Sequence, residues 1–311
     1  DYDVITDEDV SYEGLSRLEG YNVVITGSHP EHNTGTQLDA LHAYTQQGGR
    51  LMYMGADGWY WVHAYHPSYE ERGRGVLTEM RRPQPGICVW RSEPGEHYLQ
   101  GTGELGGMWR FRGRFLHTVA GTGMSSEGFD VSTYYTRTPE SNDPRVSWAF
   151  EGIEFDEKLG NFGLVGGGAA GLELDIVDTM LGSPPHTLVV ATSAGRHTEG
   201  YLLVMEDFGF NQQGLDGTQH PRVRSDIAYH ETPNGGACFA FSSIARRAAM
   251  ELKAVSCRMV RYLLHHRTPT FTGGAPTTIH PTRTAVRQNS PRNYCSNSTV
   301  PDCPELRYGF A

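Results

Sequence analysis

Hydrophobic and polar residues between positions 21 and 55 follow the order expected for a strand, a helix and a second strand. Residues 21–27 form a short β-branched run that ends in glycine, which is typical of a buried strand in a parallel sheet. Residues 50–55 form a second short apolar run. Because the crossover between such strands is right-handed, we predict a βαβ unit whose two strands are parallel.

The segment between these two strands carries the start and stop signals of a helix. Thr34 and Gln37 have the spacing of a capping box, which satisfies backbone N–H groups at a helix start. Gly48 and Gly49 can adopt the left-handed conformation that commonly ends a helix. The apolar residues that recur between these signals are Leu38, Leu41 and Tyr44.

Between about residue 76 and residue 150, short apolar runs are separated by loops rich in Gly, Pro, Ser and Glu. This pattern predicts a β-rich insertion into an α/β core. The strands predicted within the insertion are residues 86–90, 109–113 and 145–150.

Three further segments complete the predicted domain. Residues 188–192 and 237–241 have the length and apolar character of core strands, and a turn at residues 233–236 precedes the second of them. Residues 244–264 are compatible with a closing helix. We therefore predict one α/β domain over residues 1–265.

The residues after this domain differ in character. They are rich in Thr, Pro, Arg, Asn and Ser and show no apolar periodicity, so we predict an extended or disordered tail over residues 266–311. The 38 glycines in 311 residues are typical of a globular protein with many loops.

Charge and cysteine content narrow the classes of partner. The net charge of −10 disfavours nucleic acids and anionic membranes, which attract fields of Lys and Arg. No apolar run approaches the roughly 20 residues of a transmembrane helix. The five cysteines include no C-x-x-C pair and are interpreted as reduced thiols, so we expect a cytoplasmic protein that acts on small molecules or other proteins.

Two loops follow the strands of the βαβ unit and carry candidate chemistry. One contains His29 and Glu31, and the other contains Asp57. Ligands of open parallel sheets bind beyond the carboxyl ends of the strands, and neighbouring strands lie about 5 Å apart. An imidazole and two carboxylates would then share one crevice, where they could bind a hard metal ion or activate water.

A purely structural interpretation of these residues has about equal weight. Glu31 lies before the predicted helix, where the positive helix N-terminus favours a carboxylate. Asp57 lies between small residues and is a common turn residue. Their position at one sheet edge is what favours function.

A glycine-rich segment at residues 166–171 lacks the Lys-Ser/Thr of a phosphate-binding loop, so nucleotide binding is not expected. It is better interpreted as a turn that delivers Glu173 and Asp175, although a solvated loop is the commoner explanation of two such carboxylates. Glu151 follows a predicted strand and is the rival of Glu173 as a catalytic acid.

The other candidate metal-binding and catalytic residues have weaker support in the sequence. His63, His66, His97 and His117 lack metal-ligand spacing and are interpreted as packing or surface residues. Residues 55–58 resemble a nucleophile elbow, but Asp57 stands where an esterase or amidotransferase would have Ser or Cys. A covalent mechanism is therefore not expected.

Several motifs, taken in order, resemble the large subunit of N,N-dimethylformamidases. They are Thr-Gly-Ser-His-Pro-Glu at 26–31, Gly-Gly-Arg-Leu-Met-Tyr at 48–53, Gly-Trp-Tyr-Trp at 58–61, Ser-Glu-Pro-Gly-Glu at 92–96, Phe-Glu-Gly at 150–152, Gly-Leu-Val-Gly-Gly-Gly-Ala-Ala-Gly at 163–171, Pro-Arg-Val-Arg at 221–224 and Glu-Thr-Pro at 231–233. The resemblance covers about residues 1–245 and leaves the remainder without an inherited expectation.

The resemblance implies a fold similar to a class I glutamine-amidotransferase domain, a parallel-sheet sandwich, that has lost its cysteine nucleophile. It also implies hydrolysis of dimethylformamide to formate and dimethylamine at a mononuclear ferric iron held by two tyrosines and a glutamate. Glu31 matches the metal-binding glutamate, His29 an acid/base or orienting group, and Glu173 an acidic catalytic residue. Asp57 stands at a catalytic position that is usually Asn.

The resemblance places the tyrosine ligands upstream of residue 1. It therefore implies a remaining large-subunit segment, a small subunit and a higher oligomer as partners. We expect a metal-dependent amidohydrolase of small N-substituted formamides. The alternative is a catalytically silent domain that binds carbohydrate or a partner, with Trp59, Tyr60 and Trp61 as a stacking platform.

Overall fold

The computed structural model describes residues 2–66, 77–82, 97–204 and 214–245, and the backbone of residues 284–288. The strands are β1 (Asp3–Thr6), β2 (Val23–Ile25), β3 (His32–Asn33), β4 (Arg50–Tyr53), β5 (Trp61–Tyr65), β6 (Thr78–Met80), β7 (Gly123–Thr133), β8 (Thr136–Arg137), β9 (Ala170–Ile176), β10 (Leu188–Thr192), β11 (Tyr201–Leu203), β12 (Asp226–Thr232), β13 (Gly236–Ala240) and β14 (Thr284–Gln288). The α-helices are α1 (Asp7–Glu13), α2 (Gly35–Gln46) and α3 (His117–Ala120).

Within the described residues, the strands form one sheet of eight and two sheets of three. The main sheet has the order β1-β14-β2-β4-β13-β12-β10-β8, and the smaller ones have the orders β11-β7-β9 and β3-β5-β6. The first five strands of the main sheet run parallel to one another, whereas β12, β10 and β8 each run antiparallel to the strand before them in this order. The main sheet is therefore mixed, and the expected parallel arrangement applies to its first five strands.

The predicted βαβ unit is confirmed. β2 and β4 are parallel neighbours, with Val24 opposite Leu51. Thr34 caps α2 by accepting a hydrogen bond from the backbone N–H of Gln37, and the Gln37 side chain accepts one from the Thr34 N–H. After α2, Gly48 has a φ of +97°, as the predicted left-handed stop requires.

Side chains alternate between the two faces of the main sheet and bury an apolar layer on each. On one face the packed side chains include Val23, Ile25, Met52, Phe239 and Phe241. On the other face they include Val24, Leu51 and Cys238, together with Leu38, Leu41 and Tyr44 of α2. Full burial of a side chain of this size contributes about 1.5–3 kcal/mol, so these layers fix the sheet and the loops that leave it.

Two of the strands predicted in the insertion are wrong. Residues 109–113 and 145–150 contain the 3₁₀ helices Trp109–Arg112 and Ser147–Phe150. A single buried aromatic ring can anchor a turn as well as a strand, and the buried Trp109 does so here. The third predicted strand, residues 86–90, lies outside the described residues.

The insertion does contain strands, but at other positions. They are β6, β7 and β8, of which β7 pairs with β9 and β11. β7 is rich in Ser and Gly, so its sequence gave little strand signal.

The two later core strands are confirmed as β10 and β13, and a short 3₁₀ turn, Pro233–Gly235, precedes β13. The predicted closing helix lies outside the described residues beyond residue 245. Within the predicted extended or disordered tail, β14 is extended and pairs with both β1 and β2, so this segment belongs to the main sheet. Among the described residues, no helix combines the length and apolar character needed to cross a bilayer.

Candidate active site

The loops that follow β2 and β4 contact each other directly, as their positions at one sheet edge predict. The backbone N–H of Thr26 donates to the carbonyl of Met52, and the N–H of Met54 donates to the Thr26 hydroxyl. A Cβ added to Gly55 would overlap the carbonyl oxygen of Ser28, so glycine allows the loops to approach this closely. The two candidate loops therefore form one wall.

His29 lies at the centre of three carboxylates, which we call the His29 cluster. Its Nε2 is 2.9 Å from Glu173, 3.5 Å from Glu31 and 3.8 Å from Asp57. The His29 side chain is 39 % exposed, whereas that of Asp57 is 6 % exposed. The structure thus brings together His29, Glu31, Asp57 and Glu173, the four site residues expected from the sequence.

These neighbours change the proton affinity of His29. Burial works against a charged imidazole, but the hydrogen bonds with Asp57 and Glu173 and the charges of Glu173 and Glu31 outweigh it. The net effect raises the pKa of His29 to about 10. At neutral pH His29 is therefore an imidazolium that neutralises part of the carboxylate charge.

The carboxylates of Asp57 and Glu31 are destabilised as anions. Burial, followed by the charge of Glu173, raises the pKa of Asp57 well above its ordinary value. Burial also raises the pKa of Glu31, against the opposing charge of His29. A site with more carboxylates than cations favours a further positive charge.

Asp57 lies in a strained turn. Its φ is +50° and that of Trp59 is +53°, a left-handed conformation that non-glycine residues rarely adopt. The backbone N–H of Asp57 donates to Asp175 Oδ1 at 2.9 Å, and that of Gly58 donates to the Tyr53 hydroxyl at 2.8 Å. The predicted elbow is therefore present, with a carboxylate at its tip.

Glu173 reaches the cluster from β9 rather than from a solvated loop. β9 pairs antiparallel with β7, and the glycine-rich segment before it contains a turn with positive φ at Gly166 and Gly167. Asp175, two residues further along β9, is completely buried. Glu151, the rival candidate, is exposed at the end of a 3₁₀ helix and has no ion pair with His29.

Two residues near Glu31, His32 and Arg82, were not predicted from the sequence. Arg82 donates to Nε2 of His32 at 3.0 Å, and His32 Nδ1 lies 3.4 Å from Glu31. Burial and the charge of Arg82 lower the pKa of His32 to about 4, so its imidazole is neutral. The guanidinium of Arg82 lies 4.4 Å from the centre of the Trp61 ring. Because His32 follows Glu31 in sequence, its place beside Glu31 could have been predicted. No local sequence pattern indicates that Arg82 lies there.

The remaining histidine candidates do not join the cluster. Among the described residues, the group with donor atoms close enough to hold one metal ion is His29, Glu31 and Asp57. His63 and His117 are buried, as the packing interpretation predicts, and burial lowers the pKa of His117 to about 3.

The predicted stacking platform is wrong. Trp59, Tyr60 and Trp61 are 3 %, 8 % and 2 % exposed, so their rings pack inside the protein. The main chain between Asp57 and β5 turns inward here, with Trp59 N–H and Trp61 N–H donating to Pro30 and Glu31 carbonyls. These aromatic rings therefore support the loops and offer no surface for a carbohydrate.

The carboxylate oxygens of Glu31 and Asp57 suit a hard cation. Ligand atoms of His29, Glu31 and Asp57 all lie within 4.8 Å of one another. Asp57 Oδ1 is buried and has no hydrogen-bond partner among the described residues. Carboxylate oxygens of this kind suit hard metal ions, and an unpaired buried oxygen is stabilised by a cation.

Comparisons with known proteins identify the family of this chain. The family described as "N,N-dimethylformamidase beta subunit-like, C-terminal" matches residues 1–256. The N,N-dimethylformamidase beta subunits of Paracoccus aminophilus and of an Alcaligenes species are each 44 % identical over 245 residues, which is 79 % of this chain. The chain spans 31 % of the length of each of these curated relatives. It therefore belongs to the N,N-dimethylformamidase beta subunit-like, C-terminal family.

Proposed function

We propose that this chain supplies the active site of a metal-dependent amidohydrolase that cleaves small N-substituted formamides. The reaction for N,N-dimethylformamide yields formate and dimethylamine. The observation that carries the proposal is the His29 cluster, in which one imidazole meets three carboxylates at the carboxyl edge of parallel strands. The names of the relatives, given above, support the same substrate class.

Glu31 is the proposed metal ligand from this chain, with two tyrosines from another segment completing the set expected from the family resemblance. The proposed metal is a mononuclear ferric iron. When bound, such an ion polarises the amide carbonyl and makes water a better nucleophile at neutral pH. Neutral His32 faces Glu31 and is held by Arg82, so Glu31 is oriented before any ion arrives.

Hydrolysis places hydroxyl on the formyl carbon, breaks the C–N bond and requires a proton at nitrogen. His29, in contact with Glu173, is the candidate to carry that proton. We assign His29 as the donor to the departing amine and Glu173 as the carboxylate that holds and recharges it. Asp57 faces the same imidazole and is assigned to substrate orientation.

The elbow supports the proposed fold class. A sharp turn after a central parallel strand presents a catalytic side chain in class I glutamine-amidotransferase domains, which this chain was expected to resemble. Asp57, with its positive φ after β4, occupies such a turn without a nucleophilic sulfur. We therefore propose an amidotransferase-like domain that has lost its thiol.

The proposed partners follow from the extent of the match. Since the chain spans 31 % of each relative, we propose that a further large-subunit segment brings the tyrosines. The relatives are named as beta subunits, which supports a partner subunit. By the family resemblance, we propose that this subunit is small and that the assembly is a higher oligomer. The free buried thiol of Cys238 supports a cytoplasmic location.

The alternative function, a silent binding domain, has less support because the aromatic residues expected to form its surface are buried. A binding domain would also have no use for an imidazolium enclosed by carboxylates. Iron content separates the two hypotheses, since a silent domain would retain none.

The test is the Glu31→Gln variant of the assembled enzyme. Because a neutral amide is a poor ligand for a hard cation, we expect iron to be lost while the fold is retained. Glu79→Gln is the matched control, since Glu79 is a partly buried carboxylate paired with Arg81 outside the cluster.

Iron would be measured by mass spectrometry and the fold by circular dichroism. We expect wild-type iron and dimethylformamide turnover in Glu79→Gln and neither in Glu31→Gln. Normal iron occupancy in Glu31→Gln would contradict the ligand assignment. A wild-type assembly without iron and without turnover would contradict the proposed function.

A further inference from the structure

Behind the elbow lies a buried pair, Tyr53 and Asp175, that the proposed chemistry does not use. Tyr53 ends β4 and Asp175 lies on β9, and both are completely buried. The Tyr53 hydroxyl donates to Asp175 Oδ2 at 2.9 Å. The two residues are 122 positions apart, so this contact joins the main sheet to the smaller sheet that carries Glu173.

Each member of the pair also accepts a backbone N–H from the elbow. Asp175 Oδ1 accepts from Asp57, and the Tyr53 oxygen accepts from Gly58. Without these acceptors, two buried N–H groups would remain unpaired in a turn whose φ is already unfavourable. A turn of this kind persists only where the surroundings determine it fully.

Space around the pair is equally restrictive. A Cβ on Gly58 would lie 2.6 Å from the Tyr53 hydroxyl and from its ring. The elbow backbone therefore rests directly on the Tyr53 side chain. A shift of that ring would move the peptide that carries Asp57.

We propose that Tyr53 and Asp175 are positioning residues that lock the elbow so that the Asp57 carboxylate faces His29. The expected effect on kcat rests on the proposed function, whereas the expected effect on the backbone of the elbow does not. The pair holds two consecutive amides through two different acceptors. Removal of either acceptor should release one amide first and then loosen the turn.

The structural test is hydrogen exchange of individual amides in the full chain. Tyr53→Phe keeps the ring and should speed exchange at Gly58, and Asp175→Ala should speed it at Asp57, each by about tenfold or more. Asp175→Asn retains a carbonyl acceptor, so we expect Asp57 to stay protected. If Asp175→Ala does not fold, Tyr53→Phe and Asp175→Asn still allow the exchange of the two amides to be measured.

The matched control is Tyr44→Phe. The Tyr44 hydroxyl is also buried and donates to the carbonyl of Tyr21, away from the elbow. We expect Tyr44→Phe to lower the free energy of unfolding about as much as Tyr53→Phe does. Exchange at the amides of Asp57 and Gly58 should not change. Unchanged exchange at both amides in Tyr53→Phe and Asp175→Ala would overturn the proposal.

The kinetic test uses the assembled enzyme and dimethylformamide. We expect Tyr53→Phe and Asp175→Ala each to lower kcat by about tenfold or more with little change in KM. In the double variant, we expect kcat to fall no further than in the more impaired single variant. Asp175→Asn should lower kcat less than Asp175→Ala does. The effects of Tyr44→Phe and Asp175→Ala on kcat should be additive when the two changes are combined. Full additivity of the elbow pair would overturn the inference. If wild type does not hydrolyse formamides, the proposed function fails, and the exchange experiment alone decides the positioning role.

Discussion

His29 is the side chain on which three carboxylates converge, and its replacement separates proton transfer from metal binding. We predict that His29→Ala retains the metal and loses turnover, because the proposed ligand is Glu31 and the proton on His29 serves the departing amine. Iron content and kcat measured on the same preparation check this prediction.

His42→Ala is the control for that experiment, since His42 is an exposed histidine on α2. It should keep both iron and turnover. If His29→Ala also keeps both, His29 is only a loop residue. If it loses iron, His29 belongs to the metal ligands.

Asp57 stands where the family usually has Asn, and its replacement tests what the carboxylate does. We predict that Asp57→Asn preserves or improves kcat/KM for dimethylformamide, because a neutral amide can orient the carbonyl and adds no negative charge to a crowded site. A loss of about a hundredfold, or about 2.7 kcal/mol of transition-state stabilisation, would show that the carboxylate is itself a base or a ligand.

The residues of the site differ in how far they could be predicted. His29, Glu31 and Asp57 follow two neighbouring parallel strands, so the rule for sheet edges brings them together. By contrast, Arg82 contacts His32 across 50 positions, and Asp175 contacts Asp57 across 118 positions. Nothing in a local pattern specifies such contacts, which depend on how separate sheets pack.

At the level of elements, the approach of the loops after β2 and β4 depends on Gly55. We predict that Gly55→Ala destabilises the chain by about 1–3 kcal/mol, because the new methyl group would overlap the Ser28 carbonyl, which is backbone and cannot rotate away. Urea unfolding measures the loss, and lower iron retention should accompany it.

Gly20→Ala is the matched control, because a Cβ at Gly20 meets nothing within 4 Å. That variant should be near neutral or slightly stabilised. Equal stability of the two variants would show that the loops do not need the close approach.

Elements with strong local signals were predictable. The capping box and glycine stop of α2 are short-range signals. The β-branched run of β2 and the apolar run of β4 are the signals of buried strands. β7 gave no such signal, because it pairs through 11 residues rich in Ser and Gly and is positioned by β9 and β11. The runs at 109–113 and 145–150 became 3₁₀ helices because tertiary packing overrides weak propensity.

For the whole molecule, exposed apolar side chains point to assembly. Phe129 and Leu164 are 81 % and 84 % exposed, and their segments are joined where the Ser132 N–H donates to the Gly166 carbonyl. We predict that the isolated chain self-associates and that its proposed partner segments suppress this, because they would cover apolar surface.

Light scattering after size exclusion measures that association. Phe129→Ser and Leu164→Ser should reduce it, whereas Met180→Ser should not, although Met180 is exposed on a separate 3₁₀ turn. A well-behaved and active monomer of 34.5 kDa would contradict the prediction.

The overall architecture was predictable as α/β, but its strand order was not. Hydrophobic runs identify strands and leave their partners open, so the antiparallel pairing of β12, β10 and β8 was not predicted. The same limit applies to β14, whose neighbours lie more than 250 positions earlier along the chain.

The place of β14 between β1 and β2 has a consequence for biosynthesis. A ribosome releases β1 and β2 long before residues 284–288, yet the two strands can enter a common sheet only through that later segment. The nascent chain therefore carries an open edge on β2 until residues 284–288 are synthesised, and unpaired strand edges recruit other chains. Productive expression should depend on holdase chaperones that shield this edge until synthesis passes residue 288.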